Sequence, residues 1–176
     1  AALRRQATYL LDNYREPVLV EEFIEGREFT VGLLGNDPPR VLPIIETIFS
    51  HPRGIVLFDP DPPVVRLMKS QGLDPSRIPK TSHHSVCPAE VDEALQARIE
   101  ETARQAFTAL GCRDWCRMEM RLGPDERLYV LELNPIAGID PSYWLPRAAG
   151  AAGLSYADFV NTILNHAVQR DGRHFR

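Results

Sequence analysis

The chain has 176 residues, enough for one domain with a sizeable core. Its 44% hydrophobic and 25% charged residues suit a globular protein, and a net charge of −4 gives no general attraction to nucleic acid or to anionic membranes. No apolar run approaches the ~20 residues of a membrane span and no signal-peptide pattern is present; the three cysteines, Cys87, Cys112 and Cys116, include no CxxC pair, which argues against a disulfide framework or zinc site and for a reducing cytoplasm.

Leu3, Ala7, Leu10 and Leu11 recur at helical spacing, so residues 2–14 are expected to be a helix. The chain does not begin with Met, and Ala1 to Tyr14 already read as the middle of a helix, so the expectation is a fragment of something longer. Val18 to Ile24 is a β-rich run, Glu25-Gly26-Arg27 a short turn, Glu28 to Leu34 a strand, and Arg40 to Phe49 a third strand after the turn Asn36-Asp37-Pro38-Pro39. Together they predict an antiparallel meander. Seven of the fifteen prolines lie between His51 and Pro88, and this stretch reads as a long loop with a short strand around Val64 to Met68. Lys69, Lys80, His83 and His84 fall in it, where the ordinary role is a solvated loop residue.

Glu90 to Leu110 is a helix with one apolar stripe (Leu95, Ile99, Ala103, Ala106, Phe107, Leu110), acidic residues at its start and Gly111 as its stop. A hairpin follows. Met118, Met120 and Leu122 alternate with Arg117, Glu119 and Arg121; Tyr129, Leu131 and Leu133 alternate with Val130, Glu132 and Asn134. If the turn in Gly123-Pro124-Asp125-Glu126-Arg127 centres between Asp125 and Glu126, Glu119 lies opposite Glu132 and Arg117 opposite Asn134. Opposed carboxylates repel unless something positive sits between them, and Asn134 would add a neutral oxygen donor. Such a set suits Mg²⁺ with nucleotide phosphates. It equally fits a hairpin with a charged, solvated face. Beyond the loop 135–142, Pro146 to Ala152 is a small-residue helix, and Ser155-Tyr156-Ala157-Asp158 opens a last helix with Phe159, Val160, Ile163, Leu164 and Ala167 toward the core, its tail fraying from Asp171.

There is no Gly-x-x-x-x-Gly-Lys-Ser/Thr loop, no Gly-x-Gly-x-x-Gly, no Gly-x-Ser-x-Gly and no His-Glu-x-x-His. Several stretches in order nevertheless resemble one family. Val20-Glu21-Glu22-Phe23-Ile24-Glu25-Gly26-Arg27-Glu28 resembles the adenine hinge of ATP-grasp enzymes, in particular the D-alanine–D-alanine ligases. Val86-Cys87-Pro88-Ala89 with the long helix, Gly111-Cys112 leading into Arg117-x-Glu119-x-Arg121, Tyr129 to Pro135, and Ala148 to Tyr156 are similar to the same family over residues 18–168, with a gap at 50–85.

The resemblance implies an α+β fold, the C-terminal ATP-grasp domain, with a largely antiparallel sheet and flanking helices. Residues 1–17 would be a remnant of the small ATP-grasp lobe, 18–168 the ligase core and 171–176 a frayed tail, with the family's N-terminal domain absent. It implies that Glu21, Glu22, Phe23 and Ile24 line the adenine pocket, that Glu28 accepts from the ribose hydroxyls, and that Lys69 approaches the phosphates. Glu119, Glu132 and Asn134 would hold two Mg²⁺ ions, with Mn²⁺ as a substitute. Arg117 and the backbone of Gly138 would meet a tetrahedral oxyanion, and Ser142 or Tyr143 the second substrate. The activity implied is ATP-dependent carboxylate–amine ligation through an acyl phosphate in peptidoglycan synthesis. Amino acids or peptides would be the substrates, a homodimer a compatible assembly, and the fragment alone inactive. The family usually has Asp at the position of Glu119, and the loop Pro135-Ile136-Ala137-Gly138-Ile139-Asp140 departs from the D-alanyl ligases. Two alternatives therefore stay open: a ligase for another amino-acid pair, and a non-catalytic nucleotide-binding module.

Overall fold

The computed structural model describes residues 2–50, 68–72, 74 and 83–172. Its elements run α1 (Ala2–Tyr14), β1 (Arg27–Leu34), β2 (Arg40–Val41), β3 (Ile45–Phe49), β4 (His83–Val86), α2 (Glu93–Ala109), β5 (Trp115–Leu122), β6 (Leu128–Asn134), α3 (Trp144–Ala151) and α4 (Tyr156–Asp171). The strands make one antiparallel sheet in the order β4-β3-β1-β5-β6, with β2 paired to β1. Among the described residues no helix is long and apolar enough to cross a membrane.

The alternation of β1 and β5 decides the layering. Phe29, Val31 and Leu33 point to one face with Cys116, Met118 and Met120, and all six are fully buried there under Ile99, Ala103 and Phe107 of α2. Burying each large apolar side chain is worth roughly 1.5–3 kcal/mol, so this layer dominates stability. The helix is well delimited. Asp92 accepts a hydrogen bond from the Leu95 amide at 2.7 Å. At the other end Gly111 takes φ 64°, and the Gly111 and Cys112 amides close back on Thr108 and Phe107. Leu110, expected on the apolar stripe, is 67% exposed, because it is the C-cap residue and leaves the helix face.

A second core lies where α3 and α4 pack against Leu34, Leu42 and Ile45 with Leu145, Ala148, Ala149, Phe159 and Ile163. Gly32 permits this approach, since a Cβ there would lie 2.5 Å from Leu145 Cδ1. Asp114, buried at φ 67°, receives Arg170 Nη2 at 3.0 Å and Asn36 Nδ2 at 3.1 Å, tying the end of α4 to the sheet.

Several expectations are corrected. Val18 to Ile24 is not a strand; it forms no ladder with β1, whose start is set by Gly26. The strand expected over 40–49 is broken into β2 and β3 at Pro43, which has no amide to donate. His83 to Val86, read as loop, is β4, since pairing with β3 rather than its own propensity makes it a strand. In the short strand expected at Val64 to Met68, residues 64–67 and Lys80 lie outside the described residues, while Met68 opens a helical turn. Helix α3 begins two residues before Pro146, Asp171 is still helical, and Leu164 is 50% exposed. The hairpin carries a bulge. Glu119 pairs with Glu132 and Arg117 with Asn134 as expected, but Met120 pairs with Val130, leaving Leu131 as the extra residue. Val130 therefore joins the face of Met118 and Met120, not that of Glu132.

Candidate functional site

On the face of the sheet opposite α2, the part beside the α3–α4 core is polar. β1 contributes Glu28 and Thr30, β5 contributes Arg121, Glu119 and Arg117, and β6 contributes Glu132 and Asn134. The ladders set Glu28 against Arg121, Thr30 against Glu119, and Glu119 against Glu132. Ladder partners on one face hold their Cβ atoms about 5 Å apart, so these side chains must interact.

Glu119 is the centre. Thr30 Oγ1 donates to Glu119 Oε2 at 2.6 Å, and Arg117 Nε lies 2.8 Å from Glu119 Oε1. Arg117 Nη2 donates to Glu132 Oε1 at 3.0 Å, so one guanidinium bridges both carboxylates. The Arg117–Glu119 contact is close but poorly directed, and both Arg117 Nε and Glu119 Oε1 are left buried without a hydrogen bond. Burial pushes the Glu119 carboxyl up to about 7; the Thr30 hydroxyl and Arg117 pull the other way, and Glu28 and Glu132 add to the rise. Glu132 is half-exposed. Asn134 Oδ1 accepts from the Ile136 amide at 3.1 Å, which fixes its amide group at the end of β6.

One strand away, Arg121 Nε donates to Glu28 Oε2 at 2.9 Å and Nη1 to the Ile24 carbonyl at 2.7 Å. Its guanidinium stacks on Phe23 at 4.7 Å and on Phe49 at 5.5 Å. Glu21 and Glu22 are exposed beside these groups in sequence. Thr47, opposite Glu28 on β3, has a buried hydroxyl with no hydrogen-bond partner among the described residues.

On the α3 side a cavity of about 670 Å³ is lined by His83, His84, Ser85, Arg117, Ser142, Tyr143, Trp144 and Arg147. The Arg117 guanidinium stacks on Trp144 at 5.4 Å. Ser142 is folded onto Asp140 through its amide, at 2.9 Å, and its hydroxyl. Tyr143 packs over Gly138, where a Cβ would meet the ring at 2.4 Å; only glycine lets the loop close this way. The Arg147 guanidinium makes no hydrogen bond or ion pair among the described residues.

The structure thus brings Arg117, Glu119, Glu132 and Asn134 together, with Glu28 and Ile24 beside them through Arg121, and joins Arg117 to Ser142 and Tyr143 in the cavity. Lys69 is exposed on the helical turn at 68–70. Thr30, Arg121, Trp144 and Arg147 were not singled out from sequence. Thr30 was legible in principle, since it lies two residues from Glu28 on the same strand face. Arg147 was not, because it joins the cavity only through the docking of α3.

The donors fit a hard cation. Glu119 and Glu132 face each other across the ladder with Asn134 two residues further along β6, and two carboxylates and an amide oxygen are the donor types such a cation takes. Among the described residues no group of three His, Cys, Asp or Glu forms a metal cluster.

A sheet of this order, with α2 on one face and the polar residues beside α3 and α4 on the other, is the fold of an ATP-grasp ligase domain. A D-alanine–D-alanine ligase from Bacillus anthracis solved with ATP matches 96% of this chain and 46% of its own length, with a TM-score of 0.67 and 20% identity. The chain belongs to the family described as D-ala D-ala ligase C-terminus, whose model matches residues 3–165. A D-alanine–D-alanine ligase of Desulforudis audaxviator is 34% identical over 153 residues, 87% of this chain and 44% of that protein. A Sinorhizobium fredii protein named y4sG is 32% identical over 171 residues, 97% of this chain and 46% of that protein. The chain spans less than half the length of these relatives.

Proposed function

We propose that this chain forms the metal–phosphate wall and adenine hinge of an ATP-dependent carboxylate–amine ligase of the D-alanine–D-alanine ligase type. One observation carries the reading. The buried side-chain atoms without a hydrogen-bond partner among the described residues, Thr47 Oγ1, Arg117 Nε and Glu119 Oε1, all belong to strands of the polar face. Arg117 Nε and Glu119 Oε1 meet only as an ion pair at 2.8 Å without a directed hydrogen bond; a buried polar atom with no hydrogen bond, such as the Thr47 hydroxyl, costs about 1–3 kcal/mol, and a ligand on this face would satisfy these groups.

In this reading Glu119, Glu132 and Asn134 hold Mg²⁺, which, when bound, neutralises the triphosphate and the transferring phosphoryl group. Glu21 to Ile24 border the adenine, Glu28 accepts from the ribose hydroxyls, and Lys69 reaches the phosphates. Arg117, between the carboxylates and the cavity, supplies positive charge where a carboxylate is phosphorylated and an amine attacks. The Gly138 amide assists as a second donor to the oxyanion. Ser142, Tyr143 and Arg147 border the amino-acid substrate. The chain alone lacks ligase activity, because an ATP-grasp site closes on nucleotide from two lobes.

The test is phosphate release by the full-length protein with ATP, Mg²⁺ and a panel of amino acids. D-alanine-dependent release supports the reading, while release only with another amino-acid pair moves the substrate. Nucleotide binding with no amino-acid-dependent turnover favours the non-catalytic module, which the Glu119 substitution makes a real competitor. Amide formation by the 176-residue chain alone would contradict the two-lobe requirement.

A further inference from the structure

Arg121 is 7% exposed, and every face of its guanidinium is used. Nε and Nη2 both converge on Glu28 Oε2, at 2.9 and 2.7 Å, while Nη1 holds the Ile24 carbonyl at 2.7 Å. Phe23 and Phe49 flank its plane. This fork spans two parts of the chain that no ladder joins: residues 17–25, which form no strand, and β1. A buried guanidinium is costly unless its donors are satisfied, so Arg121 has one arrangement in which it can remain charged. That arrangement fixes both the rotamer of Glu28 and the position of the hinge.

The asymmetry of the pair is informative. Both nitrogens take Oε2, and Oε1 has no partner among the described residues. A carboxylate engaged on one oxygen and open on the other is prepared to accept from an outside hydroxyl. Fixing it beforehand removes the rotamer entropy that a free Glu would lose on binding.

We propose that Arg121 is a positioning residue of the nucleotide site, which clamps Glu28 through Oε2 and the hinge through the Ile24 carbonyl so that Glu28 Oε1 faces the vicinal hydroxyls of the ribose. The proposal rests on the reading of Glu28 as the ribose acceptor. A lysine could not replace it, because an ammonium lacks the planar fork that meets a carboxylate and a carbonyl while stacking on two rings.

The test compares binding of Mg·ATP and Mg·2′,3′-dideoxy-ATP to the full-length protein by calorimetry, in wild type, Glu28→Gln and Arg121→Met. Glu28→Gln is expected to collapse the preference for ATP. Arg121→Met is expected to reduce that preference about tenfold, beyond the loss of affinity that a loosened hinge imposes on ATP and dideoxy-ATP alike, a split that mere destabilisation would not give. If Arg121→Met does not fold, Arg121→Gln, which keeps a donor near Ile24 but no charge, is expected to show the same loss. If Glu28→Gln collapses the preference and the Arg121 variant keeps it, the positioning role is overturned and the ribose reading stands. If Glu28→Gln leaves the preference intact, the ribose reading fails and the proposal with it.

Discussion

Glu119 on β5 lies directly opposite Glu132 on β6, and one guanidinium, that of Arg117, reaches both. Two carboxylates so placed are a liability in an isolated protein. Arg117 offsets the repulsion, but its Nε meets Glu119 Oε1 without a directed hydrogen bond, and among the described residues that buried oxygen has no other donor.

The first consequence is a pH dependence of stability. Glu119 has its folded pKa at about 7 against an ordinary 4.5, so the folded chain holds this proton more tightly than the unfolded one. Its contribution to stability is therefore present below 4.5 and lost as pH rises to about 7, on the order of 3 kcal/mol. Denaturant unfolding without metal should show stability falling across this window. Glu119→Gln, which cannot ionise, should flatten that slope. An unchanged slope in the variant would show that another group titrates.

The hydroxyl of Thr30 works against the burial of Glu119 by donating to its charged form at 2.6 Å. Thr30→Val keeps the shape and removes the donor, which moves the Glu119 pKa further up. At pH 7 a larger share of Glu119 is then protonated, and Mg²⁺-dependent nucleotide affinity should fall about tenfold. The loss should shrink as pH is raised, a trend that calorimetry at pH 7 and pH 9 resolves.

Arg147 faces the cavity beside Arg117 with no anionic partner among the described residues. A substrate carboxylate would supply one. Arg147→Ala should raise the KM for an amino-acid substrate of the full-length protein about tenfold, with the KM for ATP unchanged. Equal effects on both KM values would place Arg147 in folding rather than recognition.

Gly26 is the joint between the hinge and β1. It has φ +145°, and a Cβ there would lie 1.9 Å from the Leu122 carbonyl oxygen. Gly26→Ala should cost about 3 kcal/mol, or roughly 6–12 °C in Tm, measured by thermal unfolding. A variant as stable as wild type would mean that the hinge repacks freely.

The hairpin, the long helix and the polar strand face were legible because each rests on a local period. Alternation set Glu119 opposite Glu132 and Arg117 opposite Asn134, and the 3.6-residue stripe found Leu95, Ile99, Ala103 and Phe107. Properties that come from distant pairing were not legible. The bulge at Leu131 moves Val130 to the other face, and no local feature of Leu128 to Asn134 announces it. His83 to Val86 is polar and short, and becomes a strand only against β3. Val18 to Ile24 has strand composition but pairs with no strand among the described residues, and the side chain of Arg121 ties it to the sheet. The conformational role of Gly26 likewise appears only once β1 lies against Leu122.

The most direct test of the central claim is calorimetry of a Mg·ATP analogue with the full-length protein, wild type against Glu132→Gln. Glu132 is half-exposed, so the substitution should leave the fold intact. If Glu119 and Glu132 share a metal that carries the nucleotide phosphates, the variant loses most of its Mg²⁺-dependent affinity. Unchanged binding would show that this pair of carboxylates is only a charged face of the sheet.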